Sequence, residues 1–290
     1  MAAGATPSPV CAIDVGGTKL AAAVVRSDGM IVRQAKAPTP PGDDPEVLFA
    51  DLIDLVDSLG PDVAAAEAIG VGCGGPMTAQ GDSVSPLNIP AWRAFPLRSR
   101  LAAHFGVPVH VDNDAKALAL GEGWLGAARG ERHYIGMVVS TGIGGGIVLD
   151  GRLLDGAGGN AGHIGHVVVE PDGRSCPCGA HGCVEAEASG TAIAAITGRP
   201  AAEAAPEIVA RTGTLVGRAV ASVANLLDLP LAVVSGSVAL GYGAPFFAAA
   251  QAEIDRRCRL EFSRGARIVP GALGPDGPLI GAAAVALRRD

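Results

Sequence analysis

Short apolar runs separated by glycine-rich turns dominate the beginning of the chain. Residues 10–13, 20–25 and 30–32 are apolar, and two turn-forming segments, Asp14-Val15-Gly16-Gly17-Thr18-Lys19 and Ser27-Asp28-Gly29, separate them. Apolar runs of this length between Gly and Asp residues predict strands joined by tight turns. The chain is therefore expected to open with three consecutive strands.

A helical pattern follows a proline-rich loop. Asp44, Pro45 and Glu46 supply an N-cap, a proline in the first turn and an acidic first turn. Leucine and valine then recur at helical spacing through residues 48–59, which predicts a helix with one buried face. The same criteria predict strands at 68–71, 107–111 and 231–234 and helices at 115–125, 214–227 and 278–288.

The second half of the chain begins like the first. Residues 134–140 predict a strand, residues 141–146 a glycine turn, and residues 147–149 and 152–154 two more strands. Two strand–turn–strand units thus lie roughly 125 residues apart, which indicates a coarse internal duplication. We expect an α/β protein whose two halves, each with a sheet and helices, face each other across a cleft.

Composition and charge exclude several classes of protein. Of the 290 residues, 49% are hydrophobic and 18% charged, so a disordered chain is excluded. The net charge is −7 and no basic run exceeds two residues, which argues against nucleic acid as a partner. Residues 1–10 lack the pattern of a signal peptide, and glycines and a proline interrupt the uncharged stretch 231–252. We expect a cytoplasmic protein with no membrane partner.

The two glycine turns are candidate phosphate sites. Glycines between strands let the backbone approach an anion closely, and Asp at a strand end can bind Mg²⁺. Each turn alone could be the loop of an ordinary β-hairpin. The two turns occupy corresponding positions in the two halves, however, and this favours a site in which both bind one polyphosphate. No helix follows the second turn at once, which disfavours a dinucleotide site and hence an oxidoreductase. The candidates are Asp14, Gly16, Gly17, Thr18, Lys19, Thr141, Gly142, Gly144 and Gly145.

Asn113 and Asp114 come directly after a predicted strand and begin a predicted helix. These residue types are common helix caps, which is the simpler interpretation. A carboxylate at a helix N-terminus interacts favourably with the helix dipole, so Asp114 would be ready to accept a proton. In phosphoryl transfer to an alcohol, an Asp commonly orients the attacking hydroxyl and takes its proton.

His166, Cys176, Cys178 and Cys183 have the composition of a closed tetrahedral zinc site. The alternative interpretation is that the three cysteines are ordinary buried thiols. Three Cys within eight residues, beside Gly and Pro, are not typical of a hydrophobic core. The same segment contains polar side chains able to bind a sugar. These are Asn160, His163, His166 and Glu185, with Asn88 and Gly75 as further candidates in earlier loops.

These motifs, in this order, resemble the ROK sugar kinases from about residue 10 to the C-terminus. The resemblance is carried by Asp14–Lys19, Asn113-Asp114, residues 141–146, Ala161-Gly162-His163-Ile164-Gly165-His166 and the cysteine segment. It implies a two-lobed, actin-like ribonuclease H fold with a zinc knuckle. The smaller lobe would comprise residues 1–113 and the C-terminal helix of about 278–290, and the larger lobe residues 114–277. A homo-oligomer, a dimer or a tetramer, is also implied.

The resemblance further implies ATP-dependent phosphorylation of a hexose at its 6-hydroxyl. Asp114 would be the catalytic base, and both glycine turns, with Gly236, would bind the ATP phosphates and Mg²⁺. The sugar would contact Asn113, Asp114, Glu185 and His166, and His166 would also bind Zn²⁺. Family members that regulate transcription carry an N-terminal DNA-binding segment, and because the kinase motif begins as early as Asp14 we expect no such segment here. A non-catalytic sugar sensor is the alternative class.

One residue departs from the glucokinase pattern. Glucokinases of the family carry Glu where this chain has His163, and Gly162-His163-Ile164-Gly165-His166 resembles bacterial N-acetylmannosamine kinases. An imidazole in place of an anionic acceptor changes which sugar groups are satisfied, and an unpaired buried polar group costs about 1–3 kcal/mol. N-acetylmannosamine is therefore the expected substrate, with glucose or another hexose as the alternative.

Overall fold

The computed structural model describes residues 8–287 and divides into two compact units. Of the described residues, the first unit contains 8–121, 155–160 and 275–287. The second contains residues 122–154 and 161–274. Residues 1–7, on which most of the signal-peptide prediction falls, lie outside the described residues. The sequence analysis placed the lobe boundaries between residues 113 and 114 and between residues 277 and 278. These boundaries remain a prediction.

The first unit has a five-stranded sheet in the order β3-β2-β1-β4-β5. Its strands are β1 (Val10–Val15), β2 (Lys19–Val25), β3 (Ile31–Pro38), β4 (Ile69–Cys73) and β5 (Val109–Asn113). Its helices are α1 (Pro45–Asp57), α2 (Pro61–Ala64), α3 (Leu97–Phe105), most of α4 (Asp114–Trp124), and the last helix, α10 (Gly277–Leu287). A short 3₁₀ turn spans Ala79–Gly81.

The second unit has a five-stranded sheet in the order β10-β9-β6-β7-β8. Its strands are β6 (Tyr134–Val139), β7 (Ile143–Leu149), β8 (Arg152–Leu153), β9 (Leu231–Ser235) and β10 (Arg267–Pro270). Its helices are α5 (Val184–Ala188), α6 (Gly190–Thr197), α7 (Pro206–Leu227), α8 (Ser237–Tyr242) and α9 (Ala244–Arg257). Three 3₁₀ turns span Ile164–His166, Ala201–Glu203 and Gly274–Asp276, the last across the unit boundary.

The two sheets have the same topology. In the first, β1 pairs antiparallel with β2 and parallel with β4, and β4 pairs parallel with β5. In the second, β6 pairs antiparallel with β7 and parallel with β9, and β9 pairs parallel with β10. The internal duplication that the hydrophobic pattern predicted is therefore confirmed in the strand order and directions of both sheets.

Each unit has its own hydrophobic core. In the first, β1 is buried along nearly its whole length and α1 packs its predicted apolar face inward, with Leu52 and Val56 fully buried. The Asp44 side chain accepts a hydrogen bond from the Glu46 amide at 2.8 Å, as the predicted N-cap requires. These packed strands give the ends of β1, β4 and β5 fixed positions.

Helix α7 begins at Pro206, eight residues before the predicted start at Thr214. Gly213 and Gly217, which weaken the helical pattern, lie where α7 crosses α9. A Cβ atom at Gly213 would meet the Phe246 carbonyl oxygen, and one at Gly217 would meet the backbone of Ala250. The glycines therefore permit close packing of two helices rather than ending one.

Among residues 8–287, no helix is long and apolar enough to cross a membrane. The uncharged stretch 231–252 was predicted to form a strand, a loop and a helix. It forms β9, α8 and the first part of α9, so the predicted strand and helix are present and a short helix replaces the loop.

Candidate functional site

The carboxyl ends of three parallel strands bring polar residues together at one edge of the first sheet. Asp14 in β1 is in register with Gly72 in β4, and Gly72 is in register with Asp112 in β5. Asn113 ends β5 and Asp114 begins α4 directly after it. Ligand sites in open α/β sheets form at such strand ends. Two predicted site segments that are a hundred residues apart in sequence therefore share this edge.

The two carboxylates at this edge interact electrostatically. The pKa of Asp14 is raised to about 6, chiefly by burial and also by the negative charge of Asp114, while Lys19 lowers it. A bound divalent cation reverses this balance, because it favours the ionised carboxylate. Asp14 is thus a suitable ligand for Mg²⁺ directly or through water, and the chemistry of the donor fits the predicted ion.

Replacing Asp14 by Asn is expected to stabilise the metal-free fold at pH 7. The pKa of Asp14 in the fold, about 6, lies above the value of about 3.9 in an unfolded chain. The ionised carboxylate therefore destabilises the fold, and the penalty disappears as pH falls through both values. We expect Asp14→Asn to raise the free energy of unfolding by about 1–2 kcal/mol at pH 7, because Asp14 is partly exposed and solvent reduces the full shift.

Urea unfolding without magnesium at pH 7 and pH 4 measures this difference. Most of the gain should be lost at pH 4, where Asp14 is protonated in the fold, and the remainder should disappear below the unfolded pKa of about 3.9. Asp28→Asn is the control, because Asp28 lies in an exposed turn with 54% of its side chain accessible. A loss of stability at pH 7 would contradict the assignment of Asp14 as a carboxylate whose charge destabilises the metal-free fold.

The turn between β1 and β2 has the form expected of a phosphate site. Gly16, Gly17 and Thr18 form it, with Gly17 and Thr18 exposed. The Gly16 amide donates to the Lys19 carbonyl at 3.0 Å, and the Thr39 hydroxyl donates to the Gly16 carbonyl at 2.6 Å. These bonds fix the turn from both strands.

Asn88, one of the predicted sugar contacts, packs against this turn. A Cβ atom at Gly17 would lie 2.7 Å from the Asn88 Cβ atom, so only glycine fits there. Asn88 itself is exposed. Gly75 is near it in the fold, because its carbonyl accepts a hydrogen bond from the Leu87 amide at 3.2 Å.

The start of α4 holds Asn113 and Asp114 through one backbone amide. The Ala115 amide donates to Asn113 Oδ1 at 3.1 Å and to Asp114 Oδ1 at 2.8 Å. The capping function that the sequence suggested is thus present. Asn113 is partly exposed and Asp114 is exposed, so capping leaves both side chains accessible to a ligand.

In the second unit, Thr141 and Gly142 form the turn between β6 and β7 and are exposed. The Glu185 carboxylate supports this turn, since its Oε2 atom accepts a hydrogen bond from the Ile143 amide at 2.9 Å. Gly236 lies behind it with a φ of 101°, and a Cβ atom there would meet the Val139 carbonyl oxygen. The predicted nucleotide residues Thr141, Gly142 and Gly236 therefore share one region with a predicted sugar ligand.

The predicted glycine turn over residues 141–146 is too long. Gly144 and Gly145 lie in β7, and β7 begins at Ile143. A Cβ atom at Gly145 would lie 3.0 Å from Ile164 Cγ2 and 2.9 Å from the Gly136 carbonyl oxygen. Gly145 therefore permits the segment before His166 to pack on the strand, and only the Thr141–Gly142 part forms the turn.

The four predicted metal ligands converge. The ligand atoms of His166, Cys176, Cys178 and Cys183 all lie within 4.8 Å of one another. The Cys176 Sγ and His166 Nδ1 atoms are 3.7 Å apart, as are the Cys178 and Cys183 Sγ atoms. With Zn–S bonds of about 2.3 Å, the edges of a tetrahedral site are about 3.8 Å. The donor set and its spacing fit Zn²⁺.

His166 faces the thiols with Nδ1, which leaves Nε2 on the opposite side of the ring. His163 is exposed, and its ring lies 6.1 Å from the His166 ring with an interplanar angle of 27°. Asn160 belongs to the first unit, where its Nδ2 atom donates to the Met77 and Gly158 carbonyls at 3.2 and 2.9 Å. Asn160 is therefore a structural anchor as well as a candidate ligand.

Comparison with known proteins identifies the family. The sequence profile of the ROK family matches residues 10–289. The chain belongs to the ROK family. The resemblance inferred from the motifs is thereby confirmed, and the α/β fold with two mixed sheets is that of this family.

Two curated relatives and one solved structure illustrate the relationship. The chain is 37% identical to an N-acetylmannosamine kinase from Escherichia fergusonii over 80% of its own length and 84% of the relative's. It is 39% identical to a glucokinase from Thermotoga maritima over 62% of its length, a match that spans only 57% of that glucokinase. A ROK family glucokinase from Streptomyces griseus, solved with glucose and AMPPNP, aligns over 96% of this chain and 99% of its own, with 30% identity and a TM-score of 0.81.

Sequence reasoning missed the side chains that fix the cysteine segment of this ROK chain. Glu187 is 1% exposed and accepts hydrogen bonds from the Arg174 amide at 2.6 Å and from Arg211 Nη2 at 2.5 Å. Burial would raise the pKa of Glu187, but these donors and the two guanidinium groups hold it below its usual value. Glu187 thus ties the loop before Cys176 to α7.

A second arginine of α7 holds the same loop. Arg218 Nη1 donates to the Val169 carbonyl at 2.8 Å and to Glu170 Oε1 at 2.5 Å. No local signal distinguishes either arginine, because isolated charges on a helix usually indicate a solvated face. Only their contacts in the folded unit show that these two arginines hold the loop.

Proposed function

We propose that the chain transfers the γ-phosphoryl group of ATP to the 6-hydroxyl of N-acetylmannosamine. The proposal rests on one edge of the first sheet in a chain of the ROK family. There Asp14 lies near the end of β1, Asn113 ends the parallel strand β5, and Asp114 begins α4. The N-acetylmannosamine kinase relative, matched over most of both lengths, supports the same activity.

The proposed reaction needs a group that accepts the proton of the attacking hydroxyl. The bond between O6 and the γ-phosphorus forms, the bond between that phosphorus and the bridging oxygen of ADP breaks, and the O6 proton goes to Asp114. Asp114 Oδ1 is held by the Ala115 amide, so the carboxylate has a fixed direction at the start of α4. Asn113, fixed by the same amide, would orient the sugar.

The nucleotide would be bound by the two turns that carry exposed glycine and threonine. Gly17, Thr18 and Lys19 would supply donors in the first unit, and Thr141, Gly142 and Gly236 would do so in the second. Gly16 would only let the phosphates approach, because its amide donates to the Lys19 carbonyl. Asp14 is the residue proposed to hold magnesium, which would neutralise charge on the β- and γ-phosphates when bound. Gly144 and Gly145 are not proposed as direct contacts, because they lie within β7.

His166 and Glu185 are proposed to bind the sugar with atoms that their structural contacts leave available. His166 would use Nε2, because Nδ1 faces the three thiols. Glu185 would use Oε1, because Oε2 is engaged by the Ile143 amide. The proposed structural zinc ion would fix the His166 ring, and a fixed ring needs no reordering when the sugar binds.

Glucose phosphorylation is the second candidate function. The match to the Thermotoga maritima glucokinase favours it, as does the similarity to the Streptomyces griseus glucokinase solved with glucose. His163 is the residue that favours N-acetylmannosamine over glucose. A neutral imidazole can donate one hydrogen bond and accept one, whereas a carboxylate only accepts.

Replacing His163 by Glu is expected to shift preference towards glucose. We expect the ratio of kcat/KM for N-acetylmannosamine to that for glucose to fall at least about tenfold, which corresponds to about 1.4 kcal/mol of differential binding. Steady-state kinetics with both sugars measure the ratio. His104→Glu, at a half-exposed position in the first unit, is the control and should leave the ratio unchanged. An unaltered ratio in the His163 variant would remove this residue from specificity.

The direct test is an ATP-coupled assay against glucose, mannose, fructose, N-acetylglucosamine and N-acetylmannosamine at equal concentration. The highest kcat/KM with N-acetylmannosamine supports the proposal, and the highest with glucose makes the chain a glucokinase. Tight sugar binding without turnover of any hexose would indicate a non-catalytic sugar sensor. The proposed dimer or tetramer is tested separately by sedimentation.

A further inference from the structure

We propose that Lys116 is a positioning residue for the sugar. It would fasten residues 155–160, which lead to His163, to the first turn of the helix that carries Asp114. This inference rests on the proposed function, and it concerns contacts that lie wholly within the first unit.

The Lys116 ammonium group is buried and has three oxygen atoms as partners. The side chain is 2% exposed, and Nζ lies 3.0 Å from Asp112 Oδ1, 2.9 Å from Asp155 Oδ1 and 3.0 Å from the Gly159 carbonyl oxygen. Nζ donates hydrogen bonds to Asp155 and Gly159, and the Asp112 carboxylate is its buried ion-pair partner. A lysine is almost never this buried without partners, because a buried charge without them is costly.

Asp112, one of the three partners of Lys116, also fixes the backbone of the predicted sugar ligand Asn113. Asp112 Oδ1, which Lys116 contacts, also accepts a hydrogen bond from the Asn113 amide at 2.8 Å. Lys116 follows Asp114 by two residues in the first turn of α4. The lysine therefore braces the end of β5 and the start of α4 from within the unit.

The other two partners of Lys116, Asp155 and Gly159, lie in a short segment of the first unit that is flanked in sequence by residues of the second. Residues 155–160 belong to the first unit, whereas the chain before and after them belongs to the second. Lys116 binds this segment at Asp155 and Gly159, and the Asn160 side chain binds it to Met77. Three residues after Asn160 comes His163, so the anchor sets where the sugar-binding segment begins.

Replacing Lys116 removes both its contacts with residues 155–160 and its ion pair with Asp112, so the two effects cannot be separated in that variant. Lys116→Met leaves Asp112 buried without its cation, and breaking a buried ion pair is strongly destabilising. Asp155→Ala separates the effects, because Asp155 is 49% exposed and the Lys116–Asp112 pair remains. Asp150→Ala is the matched control, since Asp150 also forms an ion pair in an exposed turn but contacts Arg132 and His133 instead.

The experiment compares steady-state kinetics and amide hydrogen exchange of the four proteins, including the parent. We expect Asp155→Ala to raise KM for the sugar about five- to tenfold while KM for ATP stays within twofold. Exchange of the amides of residues 156–163 should be faster in Asp155→Ala, and faster still in Lys116→Met if it folds. Asp150→Ala should match the parent in every measurement.

Equal sugar KM and equal exchange in Asp155→Ala and Asp150→Ala would overturn the inference. A parallel rise of KM for sugar and ATP would also overturn it, because a general loss of structure moves both. A parent that phosphorylates no hexose would instead refute the proposed function, and the exchange data would still decide whether Lys116 anchors the segment.

Discussion

Replacing Asp114 by Asn is expected to reduce kcat about 10²- to 10⁴-fold, the range that a positioned general base contributes. The amide has nearly the same shape, so it can still accept the hydrogen bond from Ala115 that Asp114 Oδ1 accepts at 2.8 Å. It cannot accept the proton of the sugar hydroxyl. Sugar affinity should therefore change little, and a large fall in kcat with a small change in KM is the signature of a lost transition-state interaction.

Stopped-time product assays and titration calorimetry with the sugar measure the two quantities separately. Asp150→Asn, which alters an exposed carboxylate in the turn after β7, is the control and should retain full turnover. Turnover of the Asp114 variant within tenfold of the parent would exclude Asp114 as the base. A loss of sugar binding equal to the loss of turnover would indicate a binding function instead.

Local sequence patterns predicted those features that a short segment determines by itself. Asp14 with its glycine turn, and Asn113-Asp114 at a strand–helix junction, depend on neighbours within a few residues, and both were placed correctly. The convergence of the four predicted metal ligands was equally accessible to sequence reasoning. Thiolates and imidazole are needed only for a few functions, and their close spacing left few alternatives.

Other features depend on contacts between distant segments, and sequence reasoning missed them. Gly145 looks like a turn residue because its neighbours are glycines, and only the approach of Ile164 shows why a strand contains it. Lys116 and Asp155 are 39 residues apart, and a single lysine in a helical pattern predicts a solvated side chain. The buried Glu187 pairs with the partly exposed Arg211 across 24 residues, and this contact likewise has no local signal in the sequence.

The position of the proposed zinc site explains why a structural metal would affect sugar binding. His166 and Cys183 come from two segments that are joined by an isolated bridge between Val168 and Cys183, with an exposed loop between them. Burial and the neighbouring thiols raise the pKa of Cys183 to about 12 in the absence of a cation. Without a cation the Cys183 thiol is therefore protonated at neutral pH, and zinc binding would release this proton, since metal binding and deprotonation are linked.

Loss of the metal is expected to lower stability and sugar affinity together. Structural zinc contributes on the order of 10 kcal/mol in small peptides, but here the second unit has a core of its own, so we expect a loss of several kcal/mol. Cys176→Ser should reduce bound zinc from one ion per chain, lower the unfolding temperature by about 10 °C, and weaken sugar binding at least tenfold because His166 is released. Metal analysis, thermal unfolding and calorimetry measure the three effects.

Cys258→Ala is the matched control, because Cys258 is a buried thiol of the same unit that lies outside the cluster. It should keep its zinc and its sugar affinity even if removing a buried sulfur lowers stability. Zinc well below one ion per parent chain, with stability and sugar binding unaffected by a chelator, would show that the four ligands hold no structural metal. Retained sugar affinity in a zinc-free Cys176→Ser protein would separate the two proposed functions of His166, because its Nε2 atom would then bind the sugar without the metal.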